Sequence, residues 1–536
     1  MSLSQLSQQP GKVESLIRSV PYVAEPLSLY RQLCSKRQHN LLLESAEINS
    51  KDDLQSLILV DAAVRLECNG NQVTCSALTD NGTAVLSLLQ QHCSNATAEL
   101  TDKQLVLSFN AVEADLDEDS RLKAQSVFDT LRHIIQQIKP LRDHPDALFL
   151  GGAFAYDMLA TFEKLPDVPD SLNSCPDFVF YLAETLILID HQQQTTDVIG
   201  SVFSGSEVAN QYFIVSQRLE HIQQQISQVH EIDDKPEQTV TLDQLQIDKS
   251  DAQYKQDVGL LKQHILCGDI FQVVPSRIFS LPCPNPYLTY QQLKLQNPSP
   301  YMFYLQDGDF CLFGASPESA LKYHRESNQV EIYPIAGTRP RGFNSKGEID
   351  PDLDSRIELD LRQDEKEKAE HIMLVDLARN DLARVCEPGS RYVSDLLQVD
   401  RYSQVMHLVS RVVGQLRHDL DALHAYQACM NMGTLVGAPK VSAAGLIRQV
   451  EKQRRGSYGG AVGYLNGQGD MDTCIVIRSA FVKNGMAHIQ AGAGVVYDSD
   501  PQSEANETRS KAQAVIRAIV AAHDAPSSHI GGSNNV

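Results

Sequence analysis

Two pairs of glutamates stand out first, because their spacing suits metal chemistry. Glu367 and Glu370 are three residues apart, as are Glu504 and Glu507, so on helices each pair shares a face. Carboxylate pairs from two helices suit a Mg²⁺ ion that keeps several of its waters. The alternative is a solvated acidic face with i,i+4 partners such as Glu507–Lys511. Arg478 lies in TCIVIRSAFVKNGMAHIQAGAG (473–494), where strand alternation puts it on one face with Cys474, Val476 and Ala480. A guanidinium there calls for an anion or an internal salt bridge. With Asn484-Gly485 as a two-residue hairpin turn, Lys483 pairs with Met486 and Arg478 falls opposite Ala491. That register sets it beside the amides of Gly492, Ala493 and Gly494, a fit for a carboxylate; a slip of one residue undoes it. His407 shares strand parity with Val405, Val409 and Arg411 and reads as a core histidine or as a catalyst. PIAGTRPRG (334–342) reads as a Gly-Thr turn with Arg339 and Arg341 beside it, an anion site or a surface turn.

Three other strings fail as motifs. Gly492-Ala-Gly494 lacks the third glycine of a dinucleotide fingerprint. GTLVGAPK (433–440) has its second glycine one position early for a phosphate loop, and no Ser or Thr follows Lys440. DLDEDS (115–120) has Ser120 where a calcium loop needs Gly.

The elements that must position these groups can be read locally. RQDEKEKAEHIMLVDLARNDLAR (362–384) is rich in helix formers. Asp500-Pro501 opens a second helix with an Asp cap and Pro at its first position. LILVDAAV (57–64) and ETLILID (184–190) read as strands. Strands and helices do not alternate regularly, so the expected class is α+β, a large mixed domain of antiparallel sheets flanked by helices. A Gln-rich, charged stretch over 222–250 suggests a join between an N-terminal region (1–240) and a C-terminal region (250–522). A polar tail (523–536) is expected to be disordered.

Composition narrows the classes. The 536 residues carry 46 Lys and Arg against 68 Asp and Glu, a net charge of −22. Such a field disfavours nucleic acid and anionic lipid as partners, so an anionic ligand needs a local cation or a metal. No stretch approaches the ~20 apolar residues of a membrane span. The first residues lack the order of a signal peptide, so a cytoplasmic location is expected. The eleven cysteines are dispersed without CxxC, which reads as reduced, mostly buried thiols. Trp is absent.

PIAGTRPRG, DEKEKAEHIMLVDLARNDLARVCEPGS, MGTLVGAPK, GSYGGAVGY, IVIRSAF, AGAGVVYDSDPQSEANET and the early LLLESAEI together resemble the chorismate-utilising enzymes. Within them the match is to the component I family of anthranilate synthases, over about residues 20–520. The resemblance implies that Glu370 and Glu507 bind Mg²⁺, with Glu367 and Glu504 reaching it through water. It implies that Gly337, Thr338, Tyr458, Arg478, Gly492, Ala493 and Gly494 bind chorismate. Glu318 matches a general acid, His407 an acid/base partner, and Thr434 a supporting group. Glu44, Ser45, Pro300, Tyr301 and Met302 match a tryptophan feedback site, which makes the lack of Trp sensible. Activity would then turn chorismate and ammonia into anthranilate and pyruvate. A glutamine amidotransferase subunit (component II) would supply the ammonia, in a heterotetramer of two large and two small subunits. No cysteine here has the glycine-rich setting of a glutaminase nucleophile. The alternative is an aminodeoxychorismate synthase-like enzyme. That relative typically has a lysine where this chain has Ala336, and the water-using relatives have one where it has Gln272.

Overall fold

The computed structural model describes residues 3–45, 54–112, 116–142, 144–228, 238–402 and 405–524. Most of the expected tail, 525–536, and the middle of the expected join, 229–237, lie outside them.

Twenty-three strands among the described residues form one connected, strongly branched sheet. Its pairings are antiparallel apart from the short contact of Lys12–Val20 with Lys139–Pro140, as expected for the α+β class. Both parts of the sequence contribute to it. Asn40–Glu44 lies between Gln55–Asn69 and Tyr301–Gln306, and Phe149–Phe154 pairs with Ala461–Asn466 and Phe178–Asp190. The Gln55–Asn69 and Phe178–Asp190 strands contain the two runs read as strands from the sequence. The second of these is buried along most of its length, as its near-continuous apolar sequence requires. Among the described residues no helix is long and apolar enough to cross a membrane. All eleven cysteines are free, and only Cys267 is exposed.

Two helices matter most for the site. Asp364 caps Glu365–Ala383 by accepting the amides of Lys366 and Glu367, so the helix starts inside the expected 362–384 stretch. A separate helix, Pro351–Gln363, ends just before it. The Pro501–Ala522 helix has Asp500 as its cap and Pro at the start. Its Ala512, Val515, Ile516 and Ile519 are buried, a three-to-four spacing that turns one stripe to the core. Against the Glu365–Ala383 helix packs Val405–Gln415, which pairs with Ile335–Pro340 and Tyr392–Arg401.

Candidate active site

His407 sits on the Val405–Gln415 strand with the parity expected. It is 2% exposed, opposite Thr338 in the ladder, and its Nδ1 is 2.9 Å from the Thr338 hydroxyl. Its Nε2 is buried with no hydrogen-bond partner among the described residues. Burial first, and Arg478 second, push the imidazole down to about 3, so it is neutral at pH 7. The Gly-Thr segment is not a turn. It is a bulge in the Ile335–Pro340 strand, where the register shifts between Ala336 and Thr338 and Gly337 has φ +71°. Nor are its arginines free for an anion. Arg339 pairs with Asp364 and Glu367, and Arg341 with Asp354.

Glu318 is 6% exposed, and its carboxylate accepts the Thr434 hydroxyl at 3.1 Å. Burial pushes its carboxyl up to about 8, against the opposing pull of Thr434, Lys511 and Arg478. A carboxylic acid that keeps its proton at neutral pH is equipped to donate it. Arg478 acts electrostatically on both Glu318 and His407, so the three lie within electrostatic reach of one another.

The hairpin ending at Asn484-Gly485 has the expected register, with Lys483 opposite Met486. The strand does not run through Arg478, however. Met471–Ile475 and Ser479–Lys483 are separate strands, and Arg478 between them has φ +47°. Alternation therefore does not place Arg478. It projects from a break where the chain changes strand partners, and its guanidinium has no hydrogen bond or ion pair with the described residues. Burial lowers its pKa while Glu318 and Tyr402 raise it.

Gly492 closes the same region. A Cβ there would stand 3.1 Å from the Tyr458 hydroxyl and 2.7 Å from Pro275 O. The Ala493 amide is donated to Pro275 O at 3.2 Å. Gly494 abuts Gln272, whose Nε2 a Cβ would meet at 2.8 Å. Lys511, which the sequence offered only as a partner for Glu507, does pair with Glu507 at 2.7 Å. It also donates to Gly492 O at 3.1 Å, which brings a second cation to the receptor. No local signal distinguishes that role from a surface i,i+4 pair.

Glu367, Glu504 and Glu507 lie within electrostatic reach of Glu370. Burial pushes Glu370 up to about 7, and Glu367, Glu507 and Glu504 each add to the rise. Among the described residues no three acidic, His or Cys side chains converge into a preformed metal cluster. Two direct carboxylates plus waters do not need one, and hard oxygen donors repelling one another suit a divalent cation such as Mg²⁺.

Glu44, Ser45, Pro300, Tyr301 and Met302 line one cavity of about 470 Å³. Glu44 and Met302 are cross-strand partners. Glu44 accepts from the Tyr290 hydroxyl at 2.7 Å and from Lys294 at 2.8 Å. The Ser45 hydroxyl is buried without a partner among the described residues.

Residues 46–517 match the model of the chorismate binding enzyme family. The chain belongs to this family. Over 518 residues it is 58% identical to anthranilate synthase component 1 of Vibrio cholerae serotype O1, covering 96% of this chain and 98% of that one. It is 56% identical over 521 residues to anthranilate synthase component 1 of Escherichia coli K12, covering 97% and 99%. Its fold resembles the crystal structure of anthranilate synthase component I from Streptococcus pneumoniae TIGR4, with a TM-score of 0.67 and 28% identity, covering 87% and 93%. It also shares the fold of the menaquinone-specific isochorismate synthase of Escherichia coli, with a TM-score of 0.65 at 18% identity, covering 97% of each chain. For a chorismate-binding enzyme the cleft is well equipped. Chorismate carries two carboxylates, and Arg478 and Lys511 put local positive charge into a protein whose net charge is −22.

Proposed function

We propose that the chain is the large subunit of an anthranilate synthase, converting chorismate and ammonia to anthranilate, pyruvate and water. Full-length similarity to component 1 proteins carries this reading. Ala336 and Gln272 support it against the sister activities, because neither position offers a lysine as a covalent nucleophile or as a base for water.

Arg478, Lys511 and Tyr458, with the backbone around Gly494, hold the enolpyruvyl carboxylate; the Ala493 amide, expected to share in this, is spent on Pro275 O. Gly337 and Thr338 flank the ring. Glu318, protonated near neutrality, gives its proton to the C4 hydroxyl, which leaves as water while ammonia adds at C2. The new C2 ammonium gives up one proton, the Glu318 carboxylate takes the C2 proton, the C3–O bond breaks, and the departing enolpyruvate takes up the proton that the ammonium released and becomes pyruvate. A group with a pKa raised to about 8 serves well as acid in the first step and as base in the second. His407 is neutral and too weakly basic for that proton; it is placed to orient the ring through Nε2. Thr434 fixes the Glu318 carboxylate. Glu370 and Glu507 would hold Mg²⁺, with Glu367 and Glu504 contacting its waters, and the ion when bound offsets the charge of the ring carboxylate.

An amidotransferase subunit would supply ammonia from glutamine, in a tetramer of two large and two small chains. Tryptophan would occupy the cavity behind Glu44 and Met302. The test is incubation with chorismate, Mg²⁺ and ammonium while following anthranilate fluorescence. Chorismate consumed without anthranilate would identify a sister activity.

A further inference from the structure

Behind the carboxylate receptor lies a buried ion pair with no part in the chemistry above. Arg455 is 1% exposed and Glu451 5%. Arg455 Nε and Nη2 donate to Glu451 at 2.9 and 2.6 Å. From that pair hydrogen bonds run to two separate segments, one at Leu435 and one at Val274–Ser276. Arg455 Nη1 donates to Leu435 O at 2.8 Å, the residue after Thr434. Nη2 donates to Val274 O at 2.5 Å, two residues past Gln272. The Glu451 carboxylate accepts both the amide and the hydroxyl of Ser276, each at 2.7 Å, and Ser276 is the ladder partner of Gly492. The Arg455 guanidinium also lies over the Tyr458 ring, 5.5 Å from its centroid.

A buried pair of this kind adds little to stability over well-packed apolar side chains of the same size. What apolar side chains cannot supply is direction. Leu435 and the 274–276 stretch come from distant parts of the chain; Leu435 follows Thr434, Val274 lies two residues past Gln272, and Ser276 pairs with Gly492. We propose that Glu451 and Arg455 are positioning residues for the chorismate carboxylate receptor, fixing the Thr434, Gln272 and Gly492 segments and the Tyr458 ring relative to one another. This inference rests on chorismate being the ligand, as set out above.

The test compares Arg455→Lys, Arg455→Met, Glu451→Leu and the double variant Glu451→Leu/Arg455→Met. Chorismate Kd is measured by calorimetry without ammonia, and Tm is measured in parallel. Each apolar single variant strands a buried charge and should lower Tm sharply. The double variant strands none and should recover most of the lost Tm, yet still bind chorismate at least tenfold more weakly. Arg455→Lys keeps the charge but not the fork that reaches Leu435 and Val274. It should fold, bind chorismate about tenfold more weakly, and leave the KM for ammonia unchanged. Wild-type Kd in the double variant or in Arg455→Lys would overturn the proposal and leave a purely structural pair. If the unmodified protein binds chorismate but forms no anthranilate, the functional reading falls, and the Kd comparison still decides this one.

Discussion

Thr434 donates its hydroxyl hydrogen to Glu318 Oε1 across 3.1 Å, and this bond works against burial in deciding when Glu318 holds its proton. The bond stabilises the carboxylate, whereas burial stabilises the acid. With burial dominant and the pKa pushed up to about 8, the acid form persists through neutrality and is lost above it. At fixed free ammonia, kcat/KM for chorismate should therefore fall as pH rises through about 8. Thr434→Val removes the bond that favours the carboxylate, so the alkaline limb should move to higher pH. A limb that stays in place or moves down would separate Thr434 from Glu318. Glu318→Gln should lower kcat by about 10²- to 10⁴-fold, the usual worth of a general acid.

Gly337 holds the bulge opposite His407 in a left-handed conformation, φ +71°. A Cβ there would lie 3.0 Å from Leu361 Cδ1 and 3.1 Å from Glu367 Oε2. Gly337→Ala should cost about 1–2 kcal/mol for the backbone conformation alone and should displace the Leu361 and Glu367 side chains that crowd the position. A drop in kcat/KM of about tenfold or more is expected, since small misplacements near reacting groups are expensive. Steady-state kinetics and a denaturant midpoint check both effects; unchanged kinetics would mean the shape of this bulge does not matter to turnover.

The parts of the site legible from the residues alone were those set by local rules. Asn484-Gly485 fixed the hairpin register through its turn geometry, with Lys483 opposite Met486. Asp500-Pro501 fixed a helix start. Arg478 escaped the alternation argument because Met471–Ile475 pairs with Ala461–Asn466 and Ser319–His324, whereas Ser479–Lys483 pairs with Phe310–Ser316 and Met486–Gly492. A change of partners mid-run is a tertiary event, invisible to period counting. Glu451 and Arg455 are four apart on either side of a helix end and look like any surface pair; only the packing around them buries both. Glu44 and Met302 meet across a ladder that no spacing predicts, so only the family resemblance brought them together.

That ladder carries the third prediction. The cavity of about 470 Å³ behind Glu44 and Met302 is in the size range of small-molecule sites, and the Ser45 hydroxyl on its wall lacks a partner among the described residues. Ser45→Phe would fill space there without touching Glu318, Arg478 or His407. Tryptophan should then inhibit at least about tenfold less well, as expected when a bulky side chain removes a ligand's volume, while kcat stays near the unmodified value. Unchanged tryptophan sensitivity would move the feedback site elsewhere.

The last prediction concerns the carboxylates. Glu370 is raised to about 7 by burial and by its three neighbouring glutamates, a repulsion that a divalent cation would relieve. Adding EDTA should abolish turnover, and Mg²⁺ should restore it. Glu507→Gln should raise the Mg²⁺ concentration needed for half-maximal activity by about tenfold or more, the scale seen when a metal's surroundings are altered. The same change weakens the ion pair with Lys511 at 2.7 Å, so a rise in KM for chorismate could come from Lys511 alone. Mn²⁺ binding to the substrate-free protein, followed by electron paramagnetic resonance, separates the two. Weaker Mn²⁺ binding in Glu507→Gln assigns the effect to the metal, whereas unchanged Mn²⁺ binding with a higher KM assigns it to Lys511 and places the ion on other ligands.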